Sequence, residues 1–107
     1  MSTQWEGLLP DMNEFIGIVI EKREPTAAEV EQLKTLKQGA GENCQTILRG
    51  LAAVGAALVH AHHEMSESEL SSYGYLVQYL AQLGADLAHI EGSANSYLAM
   101  GQEVANG

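Results

Sequence analysis

Cysteine and proline are nearly absent from this sequence of 107 residues. Cys44 is the single cysteine, which excludes an internal disulfide and a zinc site built from several cysteines. The two prolines, Pro10 and Pro25, both lie in the first quarter of the chain. Residues 26–107 therefore contain no proline, the residue that most strongly breaks a helix.

Basic residues are also scarce, with 5 Lys and Arg against 14 Asp and Glu, and the formal net charge is −9. None of the five follows Arg49, so residues 50–107 contain no Lys or Arg. Proteins bind phosphate backbones and anionic lipid surfaces through clustered positive charge. We therefore expect no direct nucleic-acid binding and no binding to a membrane surface.

Long hydrophobic runs are missing as well, and we expect no signal peptide. The longest apolar run, residues 50–59, is about half the length that a membrane-spanning helix needs. The first residues include Glu6 and lack the basic stretch of a signal peptide. The sequence thus predicts a cytoplasmic protein.

The overall composition favours a single folded domain over residues 1–107. Hydrophobic residues make up 46% of the chain and charged residues 18%, which is typical of folded proteins rather than disordered ones. We expect residues 1–10 to form a flexible N-terminal segment and residues 105–107 a frayed C-terminus.

Two capping boxes, Thr26 with Glu29 and Ser66 with Glu69, predict where two long helices begin. After each box, apolar residues recur at alternating spacings of three and four, which places them on one face of a helix. The two stripes run over residues 30–58 and 73–101. The pattern predicts helices over about 26–64 and 67–104.

The two stripes match each other if the chain reverses near Met65. This register pairs Leu51 with Leu80, and it predicts a long antiparallel helical hairpin with the stripes as its seam. As seam residues, Tyr73 and Tyr97 are expected in the core. The class predicted is all-α.

Glycine weakens the first long helix at Gly39 and Gly41, where each costs about 1 kcal/mol relative to alanine. The seam keeps its phase across these positions, which favours a continuous helix. The alternative is a break into helices 26–38 and 42–64.

A short N-terminal helix is predicted over about 11–23. Asp11 and Glu14 have the spacing of a capping box, and an apolar stripe follows at helical spacing. Both long helices also have apolar residues outside the seam, and a helix with so wide an apolar surface needs cover on more than one side. We therefore predict that the hairpin forms a homodimer, a bundle of helices from two chains. The residues outside the seam are Leu48, Ala52, Gly55, Ala56 and Val59 in the first helix and Leu70, Val77, Gly84 and Leu98 in the second.

His60, His63 and Glu64 would share one face of a continuous helix and supply three ligands to a divalent metal ion. The simpler interpretation is a solvated helix end, where histidine suits the partial negative charge of the last carbonyls. Cys44 and His89 form the minimum pair for nucleophilic catalysis, but a seam cysteine is more typical of a small core residue.

Tyr75 and Tyr79 lie one turn apart, outside the seam and among uncharged polar residues. Tyrosines in such surroundings are typical of protein-binding surfaces. The predicted partner-binding set is Tyr75, Gln78, Tyr79, Gln82 and Asp86. Alternatively, the tyrosines cover the dimer interface or the N-terminal helix.

No phosphate-binding loop, acid–base carboxylate pair or catalytic triad is recognisable, and no cofactor is implied. The sequence predicts a non-enzymatic, acidic helical module that binds a protein partner, as a regulator, inhibitor or chaperone does. An acidic body favours a basic surface on that partner. The alternative function is a metal-binding or sensing helical bundle that uses His60, His63 and Glu64.

Overall fold

The computed structural model describes residues 5–107, and within that range every regular element is helical. The all-α class is confirmed. There are three α-helices: α1 (Gly17–Ile20), α2 (Ala27–Ala61) and α3 (Glu67–Asn106). Three 3₁₀ turns occur at Glu6–Leu8, Met12–Phe15 and His62–Glu64. The predicted flexible segment 1–10 falls partly on residues 1–4, which lie outside the described range.

Both predicted capping boxes are confirmed. Thr26 Oγ1 accepts a hydrogen bond from the backbone N–H of Glu29 at 3.1 Å, and Glu29 Oε1 accepts from the N–H of Thr26 at 2.9 Å. Ser66 and Glu69 repeat this exchange at the start of α3. The boxes satisfy N–H groups that a helix leaves unpaired in its first turn, so each long helix begins directly after its capping residue.

Helix α2 is continuous across Gly39 and Gly41, as the phase of the seam predicts. At Gly41 the carboxylate of Glu91 occupies the place that a β-carbon would take, so the missing side chain leaves room for the end of the Glu91 side chain. Around Gly39 no atom lies within 4 Å of where a β-carbon would be. The two glycines therefore have different surroundings, although neither interrupts the helix.

Helices α2 and α3 lie side by side and run in opposite directions. Pro25, which precedes α2, contacts Gly101 near the end of α3, and further along α2 Ile47 packs against Gly84. The molecule measures 61 × 22 × 18 Å. Its long dimension matches the length of one long helix, and its width matches two helices side by side. The pair forms an elongated body, with the turn at Met65 at one end.

The N-terminal helix is shorter than the predicted range 11–23. It consists of the 3₁₀ turn Met12–Phe15 and the single turn of α1. Asp11 accepts from the N–H of Asn13 rather than that of Glu14, and the Glu14 carboxylate accepts from Gln32 Nε2 on α2. A β-branched run over residues 18–20 disfavours a longer helix, and Lys22 ends the segment with φ of 49°.

The buried core lies at the end of the pair away from the turn. Met12, Phe15 and Ile18 of the N-terminal segment pack there against the two long helices, and the Phe15 ring lies 5.9 Å from the Tyr97 ring. Leu36 packs against this core, whereas Lys37, which follows it, is exposed. The other buried hydrophobic residues are Leu33, Ala40, Ile90 and Ala94.

The end nearer the turn has a different character, because no residue between Ala40 and Gly84 is buried. The prediction that Tyr73 lies in the core is wrong: its side chain is 42% exposed. Among residues 5–107, this end is formed by α2, α3 and the turn between them, and the buried side chains of the N-terminal segment, Met12, Phe15 and Ile18, lie in the core at the other end. Two helices alone cannot enclose a side chain from all sides.

Candidate functional site

Tyr75 and Tyr79 form an exposed aromatic pair on α3. Their ring centroids are 6.3 Å apart and their planes are inclined by 29°, so the rings are stacked. Tyr75 is 60% exposed and Tyr79 44% exposed, with Gln78 exposed between them. We call these three residues the tyrosine face. Contact between two aromatic rings restricts their rotamers, which lowers the entropy cost of binding them.

The predicted partner-binding set is divided between two environments. Gln82 and Asp86 are half-buried and line a cleft of about 630 Å³, whose other wall is the segment from Leu9 to Asn13. Tyr75, Gln78 and Tyr79 lie outside that cleft. One face of α3 therefore presents aromatic rings on the side of the turn and, further from the turn, polar groups beside the N-terminal segment.

The N-terminal segment reaches the tyrosine face through Trp5. Its indole Nε1 donates a hydrogen bond to the backbone oxygen of Tyr79 at 2.7 Å. The sequence shows an apolar run around Pro10 but gives no sign that it would border α3 residues of the predicted site. The contribution of the segment from Leu9 to Asn13 was missed for that reason.

A second cleft, of about 550 Å³, lies between α1 and α3. Ile16, Val19 and Met100 line it, and each of these side chains is about 40% exposed. His89 lines both clefts. Both clefts are beside the N-terminal segment, whereas the turn end of the pair has the exposed tyrosines.

The electrostatic character of the two ends also differs. Arg23 donates hydrogen bonds of 2.7 and 2.9 Å to the two carboxylate oxygens of Glu29, near the start of α2. These bonds, aided by the Thr26 backbone, lower the pKa of Glu29 to about 2, and they raise the pKa of Arg23. This pair stabilises the end with the core. The turn itself is flanked by acidic charges, at Glu64, Glu67 and Glu69.

The three residues of the predicted metal site do not share one continuous helix. His60 belongs to α2, whereas His63 and Glu64 belong to the 3₁₀ turn that follows it. Over residues 5–107, no three His, Cys, Asp or Glu side chains are grouped so that they could hold a metal ion. His62 Nδ1 instead lies 3.2 and 3.0 Å from the carbonyl oxygens of Leu58 and Val59, where it caps the end of α2.

Cys44 and His89 have different neighbours. The Cys44 thiol is half-buried in the interface between the long helices, where it donates to the carbonyl oxygen of Gly84 at 3.4 Å. His89 is exposed and faces the clefts beside the N-terminal segment. The thiol therefore serves as a packing residue with a weak hydrogen bond.

One stretch of the described chain, Ala27–Glu64, is long and apolar enough to cross a membrane by length and composition. Its most apolar window has a mean hydropathy of 1.3, and none of that window is buried. Core helices of soluble proteins meet the same two criteria. Within this stretch Ile47, Leu51, Val54 and Leu58 are half-buried, whereas Leu48, Ala52, Gly55 and Val59 are exposed.

Comparison with known proteins adds no relative to these observations. No protein-family model matches the chain, and no curated protein and no solved structure matches it significantly.

Proposed function

We propose that this chain is a helical protein–protein interaction module that binds a partner protein through the tyrosine face. The observation that carries the proposal is the stacked and exposed pair of Tyr75 and Tyr79 at the end of the molecule that lacks a core. Aromatic side chains are enriched at the centres of protein interfaces, where tyrosine contributes both apolar area and a hydroxyl group.

The charge around this face supports a partner with a basic surface. Glu64, Glu67 and Glu69 surround the turn, and no Lys or Arg follows Arg49 in the sequence. Complementary charge accelerates encounter and selects among partners, while the aromatic pair provides most of the affinity. Binding is accordingly expected to slow as ionic strength rises, because surface charges are screened by salt.

The module acts by occupying a partner's surface, as a regulator, inhibitor or chaperone does, rather than by catalysis. The half-buried Cys44 and the exposed His89 supply no nucleophile and base in contact. The uncharged amide of Gln78, an exposed residue next to Tyr79 in the sequence, suits hydrogen bonding to a partner backbone.

The test is affinity capture from the native host with the wild-type chain and a Tyr75→Ala/Tyr79→Ala variant, followed by direct binding to the purified partner. The variant is expected to bind about 30-fold or more weakly, as loss of two interface tyrosines implies. Both side chains are exposed, so the variant should retain the far-ultraviolet circular dichroism of the wild type.

The matched control is Ile20→Ala/Met100→Ala, which also removes two exposed apolar side chains but at the opposite end. This control should bind the partner as the wild type does. If the partner is lost equally from both double variants, or from neither, the tyrosine face is not the binding site.

A further inference from the structure

Helix α2 has a second apolar stripe that α3 does not cover. It consists of Leu48, Ala52, Gly55 and Val59, spaced by four, three and four residues, and all four are exposed. Each directly follows a residue of the seam with α3, so the stripe is rotated from the seam by about 100° around the helix. Leu48 is 57% exposed and Val59 68% exposed.

Helix α3 has a matching stripe. Leu70, Gly74, Val77 and Ala81 repeat the spacing of four, three and four, and they are exposed apart from the half-buried Val77. Ala81 directly follows Leu80, which is half-buried between the long helices, and Gly74 and Val77 share the face of Ala81 by their spacing. Because α2 and α3 are antiparallel, a rotation in the same sense brings both stripes to the same side of the pair. Together these eight residues form one surface, which we call the second face.

The tyrosine face lies on the other side of the pair. Tyr79 directly precedes Leu80, which is half-buried between the long helices, so Tyr79 is rotated by about 100° in the opposite sense, and Tyr75 lies one turn before it on the same face. A partner bound to the tyrosine face therefore leaves the second face accessible, and both faces can be occupied at the same time. The inference that follows goes beyond the proposed function and does not depend on it.

The two glycines of the second face have open space around them. Among residues 5–107, and apart from the helix's own nearby backbone, no atom lies within 4 Å of where a β-carbon would be at Gly55 or at Gly74. Glycine weakens a helix relative to alanine, and no contact among the described residues requires it at these positions. Small residues on a helix surface let a second helix approach closely.

The exposed area of the chain exceeds that of a compact monomer. It amounts to 7306 Å², whereas a folded monomer of 11.5 kDa is expected to expose about 5,800 Å². The excess of about 1,500 Å² is larger than the ~800 Å² that each partner buries in a stable interface. The radius of gyration of 18.4 Å likewise exceeds the ~13 Å of a compact chain of this length.

We propose that the second face binds a second copy of this chain, so that two antiparallel pairs form a two-fold symmetric four-helix bundle. Both helices have the four–three spacing that such bundles use at each interface. The face contains no charged residue, so two chains of net charge −9 meet there without opposing carboxylates. A surface that binds its own copy must be self-complementary, and each of the two stripes combines two large apolar residues with two small ones.

The test is the mass in solution, measured by sedimentation equilibrium over a range of micromolar concentrations. The wild type is expected at twice its 11.5 kDa. Ala52→Glu places a carboxylate within the second face and should yield the monomer. Ala57→Glu makes the same change at an exposed position about 140° around the helix and should remain a dimer.

A milder variant keeps the test decisive if Ala52→Glu fails to fold. Gly55→Ala adds a methyl group where the two chains meet, so its dimer dissociation constant should rise by about tenfold or more while its helix content is maintained or increased. Tyr75→Ala/Tyr79→Ala should leave the dimer mass unchanged, which separates this inference from the proposed function.

Three results would overturn the inference. The first is a wild-type monomer throughout the concentration range. The second is equal dissociation of the Ala52→Glu and Ala57→Glu variants. The third is flotation of the monomeric wild type with phosphatidylcholine vesicles that the Ala52→Glu variant does not bind, since the second face would then contact lipid.

Discussion

Gly101 of α3 lies against the ring of Pro25, so closely that a β-carbon at this position would come within 2.7 Å of both Cγ and Cδ of the proline. The contact joins the C-terminal turns of α3 to the residue that directs the chain into α2. Neither the pyrrolidine ring nor the helix backbone can move aside as a flexible side chain can.

Gly101→Ala is therefore expected to destabilise the fold by about 1–3 kcal/mol, because the added methyl group overpacks the contact with Pro25. Gly92→Ala is the matched control in the same helix, since no atom lies within 4 Å of its β-carbon position. That change should stabilise by up to about 1 kcal/mol through helix propensity. Urea unfolding followed by circular dichroism measures both, and equal effects would contradict the packing at Gly101.

Phe15 tests whether the N-terminal segment forms part of the core. Its side chain is only 1% exposed, so Phe15→Ala should lower the free energy of unfolding by about 3–5 kcal/mol. Ile16→Ala, at the next position, removes a side chain that is 44% exposed and should cost less than about 1 kcal/mol. A small effect of Phe15→Ala would mean that α2 and α3 are stable without the segment.

The lowered pKa of Glu29 makes the free energy of unfolding depend on pH in the acidic range. This pKa is about 2 in the folded chain, against an ordinary value of 4.5, because Arg23 and Thr26 donate to the carboxylate. The unfolded chain therefore takes up this proton first, and the stabilisation is present above about pH 4.5 and lost as the pH falls towards 2.

Glu29→Gln removes that contribution. The variant should be less stable than the wild type at neutral pH, and the difference between the two should shrink steadily as the pH falls from 4.5 to 2. Thermal unfolding at several pH values measures the difference. A difference that does not depend on pH would show that the Arg23–Glu29 contact is not formed in solution.

Cys44 reports on the contact between the long helices. Its thiol is half-buried and donates to the Gly84 carbonyl, so a thiol reagent should react several-fold more slowly with the native chain than with the chain in concentrated urea. Reaction at equal rates in both conditions would contradict the packing of α2 against α3 at this position.

The beginnings of the long helices were predictable because capping is a local interaction. Thr26 and Ser66 each form their box with a residue three positions later, so the sequence alone contains both partners. The phase of the apolar residues likewise predicted a continuous α2 through Gly39 and Gly41. Propensity penalties at two positions are outweighed by tertiary packing along the rest of a helix.

The N-terminal segment and the core were harder to predict because they depend on contacts between distant residues. Asp11 has the spacing for a capping box, but its Glu14 bonds to Gln32 of α2 instead. Tyr73 follows the seam pattern yet remains exposed, because periodicity identifies a face and not what covers it.

The candidate site shows the same division. The pairing of Tyr75 with Tyr79 follows from their spacing of four residues on one helix. The hydrogen bond between Trp5 and Tyr79 spans 74 residues of sequence, and no local pattern predicts it. Long-range contacts of this kind require the fold itself.

The uneven distribution of buried side chains along the pair has a consequence for local opening. Amide protons around Leu33 and Ala94, which are fully buried, should exchange with solvent only on global unfolding, whereas those between Leu51 and Leu80 should exchange through fluctuations of the turn end alone. The free energy of opening is thus graded from one end of the molecule to the other. A contact made at the turn end would therefore couple the opening of that end more tightly to the unfolding of the whole molecule.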